Sequence, residues 1–299
     1  MPATERASID EELTPPFTVT IPRTQTAPFV FCSPHSGRVY PAAFLSSSRL
    51  DAHSLRKSED CYVDDLFSGV ADLGVPLIAA RFPRAYLDVN REPYELDPEL
   101  FDEPMPPYAN TQSVRVVGGL GTIARIVADG EDIYRERLPL AVALERIDGL
   151  YKPFHGTLSG LLDATWRQFG IAVLIDCHSM PSASIGQPQA LRPDFVLGDR
   201  FGVSCDGRLT RFFREMLAGL GYEVQLNRPY AGGYITEHYG RPQRGLHALQ
   251  IEVNRSLYLN ETTLTRSRNF SRVKHDLTNT VGRLFRELPN IMAWQTAAE

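Results

Sequence analysis

The chain has 299 residues, of which 43% are hydrophobic and 22% are charged, and its formal net charge is −5. These proportions are typical of a globular protein, and the length suits one large domain or two small ones. Because no block of like charge exceeds a few residues, the sequence excludes the charge pattern of proteins that bind nucleic acid or anionic membranes.

The four cysteines include no pair with the C-x-x-C spacing. No signal peptide and no apolar run of about 18 residues is visible, so we expect no membrane-spanning segment. Reduced thiols in the cytoplasm are the simplest interpretation of this cysteine usage. Cys32 and Cys177 lie near the ends of apolar runs, which predicts small core residues rather than reactive thiols.

The N-terminal residues 1–14 are polar and are expected to form a frayed terminus. Residues 15–299 are expected to form a single domain, because the residues suited to chemistry are spread from Cys32 to Arg255. No internal repeat or low-complexity tract divides this stretch. We therefore treat all candidate residues as parts of one site.

Two strands are predicted next. Phe17–Ile21 alternates as an edge strand does, and Pro28–Ser33 is a short apolar run. Pro34 and Gly37 then force a loop. His35 is therefore expected at a strand end.

The following elements are short. Helices are predicted at Ser48–Leu55 and Tyr62–Leu73, and brief apolar strands at Leu77–Ala80 and Ala85–Val89. The segment 92–111 is rich in proline and acidic residues, so an irregular conformation is expected; such long segments are often functional.

Two helices precede the central strand. Apolar residues from Ile133 to Tyr151 keep helical spacing, and Pro139 must kink this helix or mark its start. A second helix is predicted over about Leu158–Phe169.

The stretch Ile171–Pro181, IAVLIDCHSMP, organises the rest of the chain. Its apolar, β-branched run predicts a strand buried on both faces, and polar residues follow at its carboxyl end. Ligands bind just beyond the carboxyl ends of strands in open α/β sheets. We therefore interpret His178 as a metal ligand.

Strands and helices continue to alternate after the central strand, which predicts a three-layer α/β domain with a mostly parallel sheet. The final helix is expected to stop at Pro289. The remaining predicted elements are strands at Asp194–Leu197, Glu223–Leu226 and His247–Val253, a helix at Arg208–Leu220, and a loop at Asn227–Tyr234.

Two histidines at separate strand ends, joined by a carboxylate, would supply the three protein ligands of a catalytic zinc ion. Glu59 and Asp60 are the nearest acidic residues after His35, and composition alone leaves both open. A lone histidine near a strand end is more often structural. For His35 and His178, each flanked by serine and a turn signal, the two interpretations are evenly balanced.

Glu252 lies in the otherwise buried-looking strand HALQIEV, where an unpaired carboxylate would cost several kcal/mol. It therefore needs a partner, a water on a metal ion, or a raised pKa, and the last two suit a general base. The alternatives are that this strand face is solvated, or that Glu252 pairs with Arg255 or Arg91.

Arginines surround the predicted Ala85–Val89 strand, and Asn90 adjoins Arg91. A guanidinium group can bind a carboxylate through two parallel hydrogen bonds. Arg228 and the glycines that follow it could form a second anion-binding loop through backbone N–H groups. Most arginines at strand ends are simply exposed to solvent and have no functional role. The number of arginines in these segments nevertheless favours an acidic substrate.

Nine segments of the sequence, taken together and in order, resemble the N-formylglutamate amidohydrolase family. They are PHSGRVYP (34–41), SEDCYVDDL (58–66), LDVNREP (87–93), LGTIARIV (120–127), YKPFHGTL (151–158), DCHSMP (176–181), DFVLGDRFGVSCD (194–206), NRPYAGGYITEHYGRP (227–242) and HALQIEVNRSLYL (247–259).

The resemblance implies an α/β/α sandwich around a mixed sheet, distantly like zinc carboxypeptidases and aspartoacylases. It implies hydrolysis of a small N-acyl acidic amino acid, ideally N-formyl-L-glutamate to formate and L-glutamate, within histidine catabolism. One Zn²⁺ per chain is expected, with other divalent metals possible. The expected partner is a small molecule, neither nucleic acid nor membrane, and a homo-oligomer is left open.

By the same resemblance, the metal ligands are His35, Asp60 and His178. Arg38 stands where carboxypeptidases have their ligating glutamate, so Glu59 remains the alternative carboxylate. Glu252 matches the base that activates water, and Arg91 stabilises the oxyanion or binds a substrate carboxylate. The other expected substrate-binding residues are Asn90, Arg84, Arg125, Arg228, Gly233 and Tyr234.

Three rival interpretations remain. The first is a different zinc hydrolase, either a deacylase for another N-acyl amino acid or a carboxypeptidase-like enzyme. The second is a non-catalytic protein that binds a small ligand. The third is a serine hydrolase that uses Ser179, which the absence of a G-x-S-x-G motif disfavours.

Overall fold

The structure is a computed structural model that describes residues 5–127, 130–182 and 193–292. Its strands are β1 (Phe17–Thr20), β2 (Phe29–Ser33), β3 (Leu77–Ala80), β4 (Ala172–Met180), β5 (Phe195–Gly198), β6 (Val224–Leu226), β7 (Leu246–Asn254), β8 (Leu259–Asn260) and β9 (Thr265–Arg266). Its helices are α1 (Glu5–Glu12), α2 (Ala42–Ser47), α3 (Ala52–Arg56), α4 (Val63–Phe67), α5 (Val114–Val117), α6 (Leu140–Arg146), α7 (Lys152–Phe169), α8 (Gly207–Gly219), α9 (Tyr234–Tyr239) and α10 (Phe270–Met292).

The chain groups into two compact units. The first comprises Met1–Thr18, Pro34–Cys61 and Ile78–Gly160, and the second comprises Val19–Ser33, Tyr62–Leu77 and Leu161–Glu299. The expectation of a single domain over residues 15–299 stays a prediction.

The second unit contains a sheet in which five neighbouring strands follow the order β2-β4-β7-β5-β6. Strand β4 pairs in parallel with β2 and with β7, and β5 pairs in parallel with β6. Only the β5–β7 pair among these is antiparallel. The predicted α/β class with a mostly parallel sheet is confirmed.

Strand β4 lies between β2 and β7 in this sheet, and all nine of its residues are buried. A strand covered on both faces needs an apolar, β-branched sequence, and Val173 to Ile175 supply it. Cys32 and Cys177 are buried free thiols of this core. Burial raises the pKa of both thiols, as expected for inert core residues.

Helix α1 lies in the first unit, within the stretch 1–14 for which the sequence predicted a frayed terminus. Over residues 5–12 that prediction was wrong. Ile9 and Leu13 are buried, so the segment carries an apolar face despite its polar composition. The Nε atom of the buried Arg146 lies 2.5 Å from Oε1 of Glu5. The same guanidinium lies 3.8 Å over the ring of Tyr86. A long-range ion pair therefore orders this terminus.

Several predicted boundaries in the first unit differ from those observed. Residues 85–89 form turns rather than a strand, because Tyr86 and Leu87 donate backbone hydrogen bonds to Pro83. Pro139 is the N-cap of α6, so it begins the helix instead of kinking it. A π-helical turn, Ile147–Tyr151, then leads without a break into α7, which starts earlier than predicted.

Two other helical predictions were only partly right. The helix predicted over Ser48–Leu55 is replaced by α2 and α3, and the one over Tyr62–Leu73 is shortened to α4 and a 3₁₀ turn. Helix α10 continues past Pro289. A proline this close to a helix end removes a single backbone hydrogen bond, which the helix tolerates. Among the described residues, none of the helices combines the length and apolar composition that a membrane crossing requires.

Candidate active site

His35 lies two residues beyond strand β2 and is buried. Its Nε2 atom is 2.7 Å from Oδ1 of Asp88, and its Nδ1 atom is 3.5 Å from Oδ2 of Asp60. The backbone N–H of Asp60 donates to the carbonyl oxygen of His35 at 3.0 Å. The acidic residue is thus held beside the imidazole by the main chain as well.

The contact with Asp88 determines which ring nitrogen of His35 carries the proton. An ionised carboxylate only accepts hydrogen bonds, so we assign the proton to Nε2. The lone pair of Nδ1 then faces Asp60. A carboxylate behind the imidazole, on the side away from a ligand position, is the usual arrangement around a metal-binding histidine.

Asp88 is ionised despite its burial. Burial alone would raise its pKa, but Arg91, His35 and Arg84 together hold the pKa well below its usual value. Nη2 of Arg84 is 2.8 Å from Oδ2 of Asp88, and Nη2 of Arg91 is 3.6 Å from the same oxygen. The backbone N–H of Asn90 donates to Oδ1 at 2.8 Å. The sequence analysis gave Asp88 no role, since nothing local marks its contact with His35.

We expect Asp88→Asn to weaken metal binding by about 10- to 100-fold, because the neutral amide lacks the charge that raises the basicity of His35 and can also turn its NH₂ group toward the ring. Competition with a chromophoric zinc chelator measures this change. Asp163→Asn, at an exposed position of α7, is the matched control and should bind metal like the wild type. Equal affinities for the two variants would contradict this role of Asp88.

The loop after β2 needs a glycine at position 37, because the main chain of another segment lies against it. A Cβ atom at this position would lie 2.0 Å from the carbonyl oxygen of Phe82 and 2.6 Å from the carbonyl carbon of Arg81. The backbone N–H of Val39 also donates to the carbonyl of Arg81 at 2.9 Å. The loop that carries His35 is therefore packed directly on another main-chain segment.

We expect Gly37→Ala to lower the free energy of unfolding by about 2 kcal/mol or more, since the backbone must move apart to admit the methyl group. Urea denaturation followed by circular dichroism measures the change. Gly156→Ala is the control: its Cβ would meet no atom within 4 Å, and a helix-interior alanine is slightly favourable. A Gly37→Ala protein as stable as the control would contradict the packing argument.

Hydrogen bonds from the π-helical turn and from helix α7 hold the segment that contains Asn90 and Arg91. The hydroxyl of Tyr151 donates to the carbonyl of Arg91 at 2.8 Å, and Nε2 of His155 lies 2.8 Å from the carbonyl of Val89. The Tyr151 and His155 rings stack with centroids 4.3 Å apart. π-Helical turns often occur at functional positions. Neither residue was given a role by the sequence analysis.

Strands β4 and β7 carry four polar side chains on one face of the sheet. His178 is the register partner of Glu252, and Asp176 is the partner of Gln250. Residues two apart on a strand share a face. Nε2 of His178 is 2.9 Å from Oδ1 of Asp176, so this histidine also has a carboxylate beside it.

Glu252 is 7% exposed, which rules out the alternative that its strand face is solvated. Its Oε1 atom accepts a hydrogen bond from Nε2 of Gln250 at 2.9 Å. Arg255, one of the partners considered for Glu252, donates from Nε to Oγ of Ser179 at 3.1 Å. Ser179 is thus used as a hydrogen-bond acceptor.

His35, Asp60 and His178 form a buried group that could hold a metal ion. One ligand atom from each residue lies within 4.8 Å of the other two. Two imidazoles and one carboxylate are a donor set that zinc accepts, and each imidazole has a further carboxylate against it. The residues present therefore fit a divalent metal.

The chain also matches the family model described as N-formylglutamate amidohydrolase, over residues 27–259. It belongs to this family. N-formylglutamate deformylase of Pseudomonas putida is 32% identical over 238 residues, which cover 79% of this chain and 83% of the relative. The deformylase of Pseudomonas aeruginosa is 30% identical over 239 residues, covering 78% and 83%.

A solved structure supports the same assignment. The crystal structure of N-formylglutamate amidohydrolase from Ralstonia eutropha JMP134 superposes with a TM-score of 0.84 and is 34% identical, covering 91% of this chain and 99% of that chain. The resemblance inferred from the nine sequence segments is confirmed. Membership places the chain among hydrolases that act on an amide bond.

Several residues expected at the site of this amidohydrolase are engaged elsewhere. Arg125 contacts three carboxylates, with Nε 2.8 Å from Oδ2 of Asp97. Glu59 accepts hydrogen bonds from Arg56 at 3.0 Å and from Tyr40 at 2.9 Å. Asp60, and not Glu59, is thus the acidic member of the buried group found in the described residues.

The loop around Arg228 and Gly233, which was expected to bind an anion, also makes contacts within the protein. The N–H group of Gly233 donates to Oε1 of Gln250 at 2.8 Å. Tyr234 begins helix α9, and its ring stacks on His238 with centroids 5.0 Å apart. Arg228 is exposed. Substrate binding by these residues, and by Arg125, stays a prediction.

Proposed function

We propose that this protein is a zinc-dependent amidohydrolase that cleaves N-formyl-L-glutamate to formate and L-glutamate. The observation that carries the proposal is the buried group of His35, Asp60 and His178 in a chain of the N-formylglutamate amidohydrolase family. The curated relatives, at 30% and 32% identity, are named for this reaction.

His35, Asp60 and His178 would hold the metal. Nitrogen and oxygen donors in this number suit zinc, which keeps an open position for water or substrate in catalytic sites. Bound there, zinc would polarise the scissile carbonyl and lower the pKa of a water molecule toward about 7. Asp88 fixes the ring orientation of His35 by a hydrogen bond to Nε2, and the carboxylate of Asp176 lies 2.9 Å from Nε2 of His178.

Glu252 takes the proton from the attacking water and passes it to the nitrogen of the leaving glutamate. Its register position beside His178 supports this role, since paired residues of neighbouring strands project from the same face. Its burial strengthens the interactions that the carboxylate makes. The leaving amine needs a proton because an amide anion is too basic to depart unaided.

Arg91 binds the oxyanion or a substrate carboxylate. Its guanidinium is oriented by the protein: Nε donates to the carbonyl of Leu120 at 3.0 Å, and Nη1 donates to the carbonyl of Asn90 at 2.9 Å. Donors fixed in advance stabilise developing charge without reorganisation. We assign the second carboxylate to Arg84, which contacts the same Asp88 oxygen as Arg91.

Formate release from N-formyl-L-glutamate, compared with acetate release from N-acetyl-L-glutamate, tests the proposal. We expect the formyl substrate to have the higher kcat/KM, because formyl is the smallest acyl group. Faster cleavage of the acetyl compound would instead indicate a deacylase for another N-acyl amino acid. Full activity after complete removal of metal would contradict the metal-dependent mechanism.

A further inference from the structure

Gln250 lies between Glu252 and the loop 227–233, and neither the family match nor the proposed reaction assigns it a role. Its side chain is buried in strand β7, two residues before Glu252 and on the same face. Nε2 of Gln250 is 2.9 Å from Oε1 of Glu252, and Oε1 of Gln250 is 2.8 Å from the backbone nitrogen of Gly233.

The Gly233 contact settles which end of the Gln250 amide faces Glu252. A backbone N–H can only donate, so the atom that it meets must be the amide oxygen. The NH₂ group then has to point at the Glu252 carboxylate. If the amide were reversed, its NH₂ group would face the N–H of Gly233 and its oxygen would face the Glu252 carboxylate. Neither pair can form a hydrogen bond, so the observed orientation is the correct one.

The loop that carries Gly233 can approach Gln250 only because residue 198 has no side chain. Gly198 is the register partner of Gln250 across the β5–β7 pair. A Cβ atom on Gly198 would lie 2.7 Å from the carbonyl carbon of Ala231 and 2.8 Å from the backbone nitrogen of Gly232. The loop therefore packs directly on β5 beside Gln250.

The same loop is held at Asn227 and at Ala231 by the turn that follows β5. Oδ1 of Asn227 accepts the N–H groups of Asp199 at 3.0 Å and Phe201 at 3.2 Å. At the other end, the N–H of Arg200 donates to the carbonyl of Ala231 at 2.8 Å. Arg200 and Phe201 have φ values of 53° and 57°. Such left-handed backbone persists when its surroundings hold it, as these hydrogen bonds do.

We infer that Gln250 is a positioning residue, which fixes the Glu252 carboxylate by a hydrogen bond to Oε1 and is itself fixed by Gly233. This inference rests on the proposed role of Glu252 as the base. A base must be held in one orientation to meet its proton, and small displacements of catalytic groups are costly to turnover. Gln250 acts through Glu252 and makes no contact with substrate.

The test compares four proteins: wild type, Gln250→Met, Glu252→Gln and the double variant. Methionine keeps the length of glutamine but cannot donate to Glu252. We expect Gln250→Met to lower kcat for formate release by about tenfold or more, with KM and zinc content unchanged. In the Glu252→Gln background, measured in single turnover, the same substitution should change the rate less than about twofold, because its target is already lost.

Controls separate this inference from the proposed function and from folding defects. Gln243→Met makes the same chemical change at an exposed position and should leave kcat unaltered. Gln250→Glu keeps the shape and the acceptor for Gly233 but sets a second carboxyl group against Glu252. Because two such groups share a proton, Glu252 is less available as a base, and kcat should fall below the wild-type value. Each variant is compared with the wild type separately, so the inference is tested even if one of the two is unstable.

Equal losses from Gln250→Met in both backgrounds, or a Gln250→Met protein with wild-type kcat, would overturn the role of Gln250. Failure of the proposed function has a different signature. It would show as a wild-type protein that releases no formate from N-formyl-L-glutamate, or as a fully active Glu252→Gln variant.

Discussion

Glu252→Gln is expected to lower kcat for formate release from N-formyl-L-glutamate by about 100-fold or more, because glutamine cannot accept the proton of the attacking water. Zinc content should stay at the wild-type value, since Glu252 is not among the residues of the buried group that could hold a metal ion. Elemental analysis and a formate assay on the same preparation measure both quantities. The substitution preserves size, so the strand should fold normally.

Glu215→Gln, at an exposed position of helix α8, controls for the loss of one carboxylate elsewhere and should be fully active. A Glu252→Gln protein with wild-type turnover would remove Glu252 from the mechanism. A variant that lost zinc together with activity would show that Glu252 supports the metal site and would leave its role as a base without support.

His35→Ala and His178→Ala should each reduce zinc content from about one ion per chain to near zero, because two remaining donors do not make a catalytic zinc site. Turnover should fall by more than about 100-fold, since even the loss of a residue that orients a ligand costs 10- to 100-fold. Elemental analysis of purified protein and the formate assay measure these effects side by side.

The matched control is His275→Ala, which removes an exposed imidazole of helix α10 and should change neither quantity. If either active-site variant kept a full zinc complement and normal turnover, the assignment of His35 and His178 as ligands would be untenable. Metal loss from one variant only would identify the histidine that binds.

The positions of His35 and His178 at the ends of strands could be expected from the sequence, because the end of an apolar strand is marked locally by turn residues. The apolar runs of β2 and β4 end in clear turn residues, and their observed bounds differ from the predicted ones by one residue or so. Since β2 and β4 pair in parallel, their carboxyl ends lie at the same edge of the sheet. A polar residue after each strand is thus brought to one place.

The partners of those residues could not be expected in the same way. Asp88 is 53 residues from His35 in sequence, and it contacts the imidazole from a segment of turns that its apolar composition had suggested was a strand. Gln250 is a buried residue of strand β7 that no sequence motif marks as functional. Its importance rests on contacts with Gly233 and Glu252 that only the folded chain shows.

The ion pair between Glu5 and the buried Arg146 bears on where this protein can be trimmed. The family match starts at residue 27, and a deletion designed on that limit would remove Glu5 while leaving the guanidinium enclosed by aromatic rings without its carboxylate. An uncompensated cation in that position costs about 3–5 kcal/mol, a large share of the stability of a typical domain. The segment that matches the family model is therefore shorter than the segment whose contacts stabilise this chain.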